Sequence, residues 1–131
     1  DAFPLIRQSL PGIALVQVVH VLNEKSVEEA VETAPYVDAL LLDSGNPNLK
    51  VKVLGGTGKV HDWRLSRMII ERIDIPVFLA GGIKSDNVCR AVRTVQPFGI
   101  DICTGVRTDD KLDSGKLEML FGNINSLNYN H

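Results

Sequence analysis

The chain has 131 residues, 44% of them hydrophobic and 23% charged, with a net charge of −2; this describes one soluble globular domain and excludes the basic excess of a nucleic-acid binder. No apolar run approaches the ~18 residues of a membrane span, and the start DAFPLIRQSL lacks the basic, apolar, small order of a signal peptide, so the expected setting is cytoplasmic. Cys89 and Cys103 have neither CxxC spacing nor clustered histidines, which argues against a disulfide framework or a metal site and leaves them as small core residues.

In chain order, Phe3 to Leu10 predicts a short helix with Pro4 at a first helical position, stopped by Pro11-Gly12. Leu15 to Val21, LVQVVHV, is rich in β-branched residues and predicts a strand, with His20 near its end. Ser26 to Glu29 has capping-box spacing, and Val27, Ala30, Val31 and Ala34 then mark one apolar helix face. Ala39 to Leu42 is a buried strand from which Asp43 emerges. The 18 residues from Ser44 to His61 carry no helical or strand period, and a loop of that length in a compact domain is usually functional or disordered. Asp62 can cap a helix that turns Leu65, Met68, Ile69 and the aliphatic stem of Arg72 inward. Val77 to Ala80 is the next strand and runs into Gly81-Gly82-Ile83, after which Ser85 caps a helix carrying Val88, Ala91, Val92 and Val95 on one face. Ile100 to Cys103 makes a fourth strand and enters Thr104-Gly105-Val106. The last helix faces inward through Leu117, Leu120, Phe121 and Ile124, and the tail NSLNYNH reads as frayed.

Four strand-then-helix units in a row require a parallel sheet, because parallel strands need crossovers and the crossover helices cover the faces. A doubly wound open sheet and part of a (β/α)8 barrel both satisfy this. The repeat of about 23 residues, broken only where the long loop intervenes, suits a barrel, yet a complete one takes about 250 residues, so four units make half of one. Both folds place ligands at the C-terminal ends of the strands, which here carry His20, Asp43, Gly81-Gly82 and Thr104-Gly105. Two glycine turns are suited to phosphate, since glycine lets backbone N–H groups approach an anion closely. Turn formation alone is the plainer use of either pair, and helix capping the plainer use of Asp43.

The segment Gly55-Gly56-Thr57-Gly58-Lys59 fails both nucleotide motifs it suggests. A Walker A loop needs glycine where Val53 stands and Ser or Thr where Val60 stands; a dinucleotide fingerprint from Gly56 needs glycine at His61. What remains is a cationic flap able to close over an anionic ligand, or a surface loop.

Taken together, LLLDSG, LGGTGKVHDW, FLAGGIKSDNV and GIDICTGV resemble phosphoribosylanthranilate isomerase of tryptophan biosynthesis, over nearly the whole stretch from Leu15 to Phe121. His61 stands where phenylalanine is usual before the Asp-Trp pair, and Cys103 where serine is common. The resemblance implies a (β/α)8 barrel of which this chain is about half, units five to eight, divided into residues 1–12 (the end of a preceding helix), 13–122 (four β/α units) and 123–131 (a tail). It implies an Amadori rearrangement of N-(5-phosphoribosyl)anthranilate without a cofactor or metal.

By the same resemblance Asp43 is the general acid, a role its chemistry allows, because a protonated carboxyl group at a strand tip can donate to the ribose ring oxygen as the C1–O bond breaks. Gly81, Gly82 and Ile83, with Thr104, Gly105 and Val106, match the phosphate-gripping turns. Gly55, Gly56, Thr57, Gly58 and Lys59 form the active-site loop, and Asp101 points from its strand toward the pocket or serves as an inward structural carboxylate. The family's general base, a cysteine ending its first strand in a K-I-C-G type motif, has no counterpart, nor has the arginine that contacts the aromatic carboxylate. The expected partners are a phosphoribosyl substrate and either a missing N-terminal half or a second chain, and the isolated segment is expected to be inactive. A repurposed phosphosugar-binding half-barrel that pairs with another chain is the alternative. The related isomerase of histidine biosynthesis is a third reading, which the GGTGK-to-DW loop disfavours.

Overall fold

A computed structural model describes residues 2–43 and 63–127. Helix α1 (Phe3–Ser9) precedes strand β1 (Val16–His20), helix α2 (Glu24–Thr33), strand β2 (Ala39–Asp43), helix α3 (Trp63–Arg72), strand β3 (Val77–Ala80), helix α4 (Val88–Val95) and strand β4 (Gly99–Ile100). A 3₁₀ turn at Thr104–Val106, a small hairpin of β5 (Arg107–Thr108) and β6 (Lys111–Leu112), and helix α5 (Ser114–Leu127) complete the described chain.

The four main strands pair in chain order β1-β2-β3-β4, all parallel, with Val18 opposite Leu41, Leu41 opposite Phe78, and Phe78 opposite Gly99. Paired residues in such a register share a face of the sheet. One face carries Val19, Leu40, Leu42, Val77 and Leu79, all at most 3% exposed and packed with Val27, Ala30, Leu65, Ile69, Val88, Ala91 and Val95 of the helices. The other face carries Val16 and Val18, which are 54% and 40% exposed, together with half-buried Leu41 and Phe78. Among the described residues, helices therefore layer one side only. The expected parallel α/β sheet is present, and no described helix is long and apolar enough to cross a membrane.

Several expectations are corrected. Helix α2 starts earlier than predicted: Asn23 caps it by accepting from the Lys25 N–H, and Ser26 is the reciprocal third residue whose hydroxyl accepts from the Asn23 N–H. Arg72 does not turn inward. It ion-pairs with Glu28 of α2 at 2.7 Å, where its guanidinium keeps its access to water. Met68 is exposed. Strand β4 ends at Ile100 instead of extending to Cys103, although the Asp101 N–H still donates to the Leu79 carbonyl. The last helix runs to Leu127, past residue 122, and Phe121 is 53% exposed while Leu120 is buried. Cys103 is exposed and Cys89 half-buried, so neither is a fully buried core residue.

Candidate functional site

Asp43 closes β2 directly opposite His20 on β1, with a carboxylate oxygen 3.6 Å from His20 Nδ1. Its carboxylate is partly withdrawn from water, whereas the imidazole is mostly open. The backbone holds the pair in place, because the Val21 N–H donates to the Asp43 carbonyl at 3.0 Å.

The next strand end turns sharply. Gly81 and Gly82 have φ of 90° and 71°, the left-handed region that favours glycine, and they redirect the chain from β3 toward α4. A cavity of about 210 Å³ is lined by Asp43, both glycines, Ile83, Asp101, Cys103 and Thr104. Four sequence-predicted features, the strand-tip acid, the two glycine turns and Asp101, thus meet at one end of the sheet. Gly82, Ile83 and Thr104 also line a larger adjoining cavity of about 510 Å³, whose wall adds Lys84, Ser85, Asn87, Gly105 and Lys116.

Gly105 is where the two turns touch: a side chain there would overlap the Ile83 carbonyl, so only glycine lets the turn after β4 approach the turn after β3. Among the described residues, the backbone N–H groups of Gly82, Ile83 and Gly105 have no hydrogen-bond partner. Lys84 and Lys116 add positive charge beside them, and Asp86 on the same wall pairs with Lys84 at 3.8 Å. Lys116 donates from Nζ to the Arg107 carbonyl at 2.7 Å, and its own N–H is received by Asp113 at the start of α5. Asp113 is held below the usual carboxylate range, chiefly by the Thr108 hydroxyl and next by that Lys116 N–H.

Val106 differs from its predicted neighbours. It is buried, its N–H donates to the Cys103 carbonyl, and it lies on the wall of neither cavity, so it anchors the turn instead of facing the opening. Ser85 is not the cap of α4; that position belongs to Asn87, and the Ser85 carbonyl instead accepts from Asn123 of α5. Gly55, Gly56, Thr57, Gly58 and Lys59 lie outside the described residues, as does Asp62. The sequence reading missed Asn87, Lys84 and Lys116 as neighbours of the glycine turns. Their signal was the short spacing after Gly82 and the return of α5 over the turn.

No described group of three or more His, Cys, Asp or Glu side chains forms a metal cluster. The arrangement offers a carboxyl group 3.6 Å from an imidazole at one end, and backbone donors with two ammonium groups at the other. That suits an elongated ligand whose anionic end sits on the glycine turns.

A family model described as N-(5'-phosphoribosyl)anthranilate (PRA) isomerase matches residues 3–123. The Methanosarcina acetivorans N-(5'-phosphoribosyl)anthranilate isomerase is 41% identical over 117 residues, covering 87% of this chain and 48% of that protein. Among solved structures, the Thermotoga maritima phosphoribosyl anthranilate isomerase aligns with a TM-score of 0.76 at 29% identity, covering 96% of this chain and 58% of that one. Another, solved in complex with reduced 1-(o-carboxyphenylamino)-1-deoxyribulose 5-phosphate, aligns with a TM-score of 0.72 at 25% identity, covering 96% and 56%. The chain spans about half the length of the curated relatives it matches.

Proposed function

The chain belongs to the N-(5'-phosphoribosyl)anthranilate isomerase family, and from that premise we propose that it supplies units five to eight of a (β/α)8 barrel that isomerises N-(5'-phosphoribosyl)anthranilate in tryptophan biosynthesis, in the cytoplasm. The observation that carries this reading is the pair of adjoining cavities, whose walls join the strand-tip Asp43 to two glycine turns along a single path at the strand C-termini.

In this reading the phosphate sits on the N–H groups of Gly82, Ile83 and Gly105, with Thr104 at the junction, and Lys84 and Lys116 offset its charge. Gly81 makes the turn and Val106 anchors its partner turn from behind. Asp43, protonated, donates to the ribose ring oxygen as the C1–O bond breaks, leaving an open-chain iminium. Loss of the C2 proton to a base gives an enolamine, which tautomerises to the 1-deoxyribulose product. His20 orients the Asp43 carboxyl group, and Asp101 lines the path toward the substrate. The loop from Gly55 to Lys59 closes over the ligand, and no metal or cofactor enters any step.

The family's base for C2, a cysteine ending the first strand, has no counterpart in this sequence. The exposed sheet face through Val16 and Val18 supports the view that preceding barrel units cover it and supply that base, so the 131-residue segment alone is inactive. A second copy of the chain is the other cover for the same face.

The test is Asp43→Asn in the full-length protein. Turnover should fall by about 10²–10⁴-fold, the usual worth of a positioned acid, with binding of the reduced product analogue within several fold. Near-normal turnover would remove Asp43 from the acid role. Gly82→Val, which forces a branched side chain into φ of 71°, should weaken analogue binding sharply, and an unchanged dissociation constant would refute the phosphate site.

A further inference from the structure

We infer that Asn87 is the positioning residue of the anion site, acting through two consecutive peptide planes of the turn after β3; this deepens the proposed phosphate reading and rests on it.

Asn87 occupies the N-cap position of α4, where asparagine ordinarily spends its side chain on the first helical N–H groups. Here the side chain makes no capping bond. It turns back into the loop instead: Nδ2 donates to the Gly82 carbonyl at 2.8 Å, and Oδ1 accepts from the Lys84 N–H at 2.9 Å. The two partners fix the amide's orientation, since a carbonyl can only accept and an N–H can only donate.

Each of these bonds holds one peptide unit. The Gly82 carbonyl belongs to the same plane as the Ile83 N–H, and in a trans peptide the two point in opposite directions. Holding the carbonyl toward Asn87 therefore keeps the Ile83 N–H on the far side, free to meet an anion. The Lys84 N–H likewise shares a plane with the Ile83 carbonyl, so binding it to Oδ1 directs that carbonyl the other way, against Gly105. One side chain thus aims a donor and sets the seam between the two glycine turns. Without it, the glycine at φ of 71° resists a peptide flip poorly, and a flip would present the Gly82 carbonyl to the phosphate in place of the N–H.

No other residue type of this reach both donates and accepts through a planar group. Aspartate keeps the acceptor for Lys84 but loses the donor for Gly82, and adds a negative charge near the anion. Alanine loses both.

The experiment compares the full-length protein with its Asn87→Ala and Asn87→Asp variants, using inorganic phosphate as the probe in calorimetric titration and phosphoribosylanthranilate in steady-state kinetics. Both variants should raise the phosphate dissociation constant by about tenfold or more, the worth of one charge-assisted hydrogen bond, and lower kcat/KM through KM more than through kcat. Asn87→Asp preserves the bond to Lys84 and keeps the fold measurable if Asn87→Ala unfolds. A melting temperature that drops in Asn87→Asp while its phosphate affinity and KM stay within twofold of the parent would overturn the inference, reducing Asn87 to a structural brace of the loop. A parent protein that does not bind phosphate at all, with no shift of the Ile83 or Gly105 amide resonances on titration, would instead overturn the phosphate reading beneath it.

Discussion

The two faces of the four-stranded sheet differ in what completes them. On the helix side Leu40, Leu42 and Leu79 are fully buried, and the layer is tied internally by the Arg72–Glu28 ion pair and by Arg90 stacked over Trp63 at 5.5 Å. On the other side Val16 and Val18 stand open, and among the described residues no layer covers Phe78, which meets the exposed Phe98 edge-on at 5.5 Å. Parallel sheets are ordinarily covered on both faces. The difference teaches that helix packing on one face, and the acid and glycine turns at the strand ends, can be specified within this stretch of sequence, while the second apolar face carries no layer among the described residues.

The largest expected effect is on the covered face. Leu79→Ala should cost about 2–5 kcal/mol in equilibrium unfolding, the range for a fully buried leucine whose neighbours cannot collapse. Val18→Ala should cost under about 0.5 kcal/mol in the 131-residue chain at concentrations where it is monomeric, as for other surface changes. In the full-length protein, where the proposed barrel interior buries it, the same change should cost about 1 kcal/mol or more. Equal costs for Val18→Ala in both contexts would break the contrast between the faces.

A second effect concerns association. The 131-residue chain should self-associate through the open face, and Val16→Lys with Val18→Lys should shift it toward monomer in sedimentation, because charge on an open apolar face opposes stacking. Unchanged association would locate the contact elsewhere.

How far these faces could be read from the sequence depends on which signals were local. Leu40, Leu42, Val77 and Leu79 sit in continuous apolar runs, so strand and burial were evident; which side of each strand met the helices was not, because a run apolar on both sides carries no alternation. Asp43 and the glycine pairs were legible because strand ends concentrate function in such folds. Asn87 was not, because its role comes from a side chain turning back on Gly82 and Lys84, a contact that capping statistics assign to Ser85. Arg72 was misplaced for a similar reason: its partner, Glu28, lies 44 residues away in sequence.

A smaller effect appears with pH at the periphery of both faces. The Asp38 carboxylate accepts from the Leu15 N–H at 2.7 Å and pairs with Arg7 at 3.1 Å, and these hold it below the usual range, the Leu15 bond contributing most. A depressed folded-state value means the stabilisation is present above the unfolded value near 4 and is lost as pH falls through the lower folded value. Asp38→Asn should therefore lower the melting temperature at pH 6 and flatten its decline between about pH 4 and pH 2. An acid limb as steep as the parent's would assign that decline to other carboxylates.

The smallest expected effect lies in the hairpin, which belongs to neither face and so sets the scale for backbone strain without burial. Asp109 and Asp110 link β5 to β6 with φ of 52° and 62°, the left-handed pair that a two-residue hairpin turn demands. Aspartate tolerates that region because its short polar side chain bonds locally, whereas glycine enters it freely. Replacing Asp110 by Gly relieves about 1 kcal/mol of strain and adds about 0.5–1 kcal/mol of unfolded-state entropy, so the net change should be slight and not destabilising. Asp110→Val should destabilise by more than about 1 kcal/mol, since a β-branched side chain is strained at φ of 62°. Denaturant midpoints for the two variants should fall on opposite sides of, or straddle closely, the parent value. A valine variant as stable as the glycine one would mean the hairpin refolds into another turn at no cost, and that the strain seen at Asp110 does not act on stability.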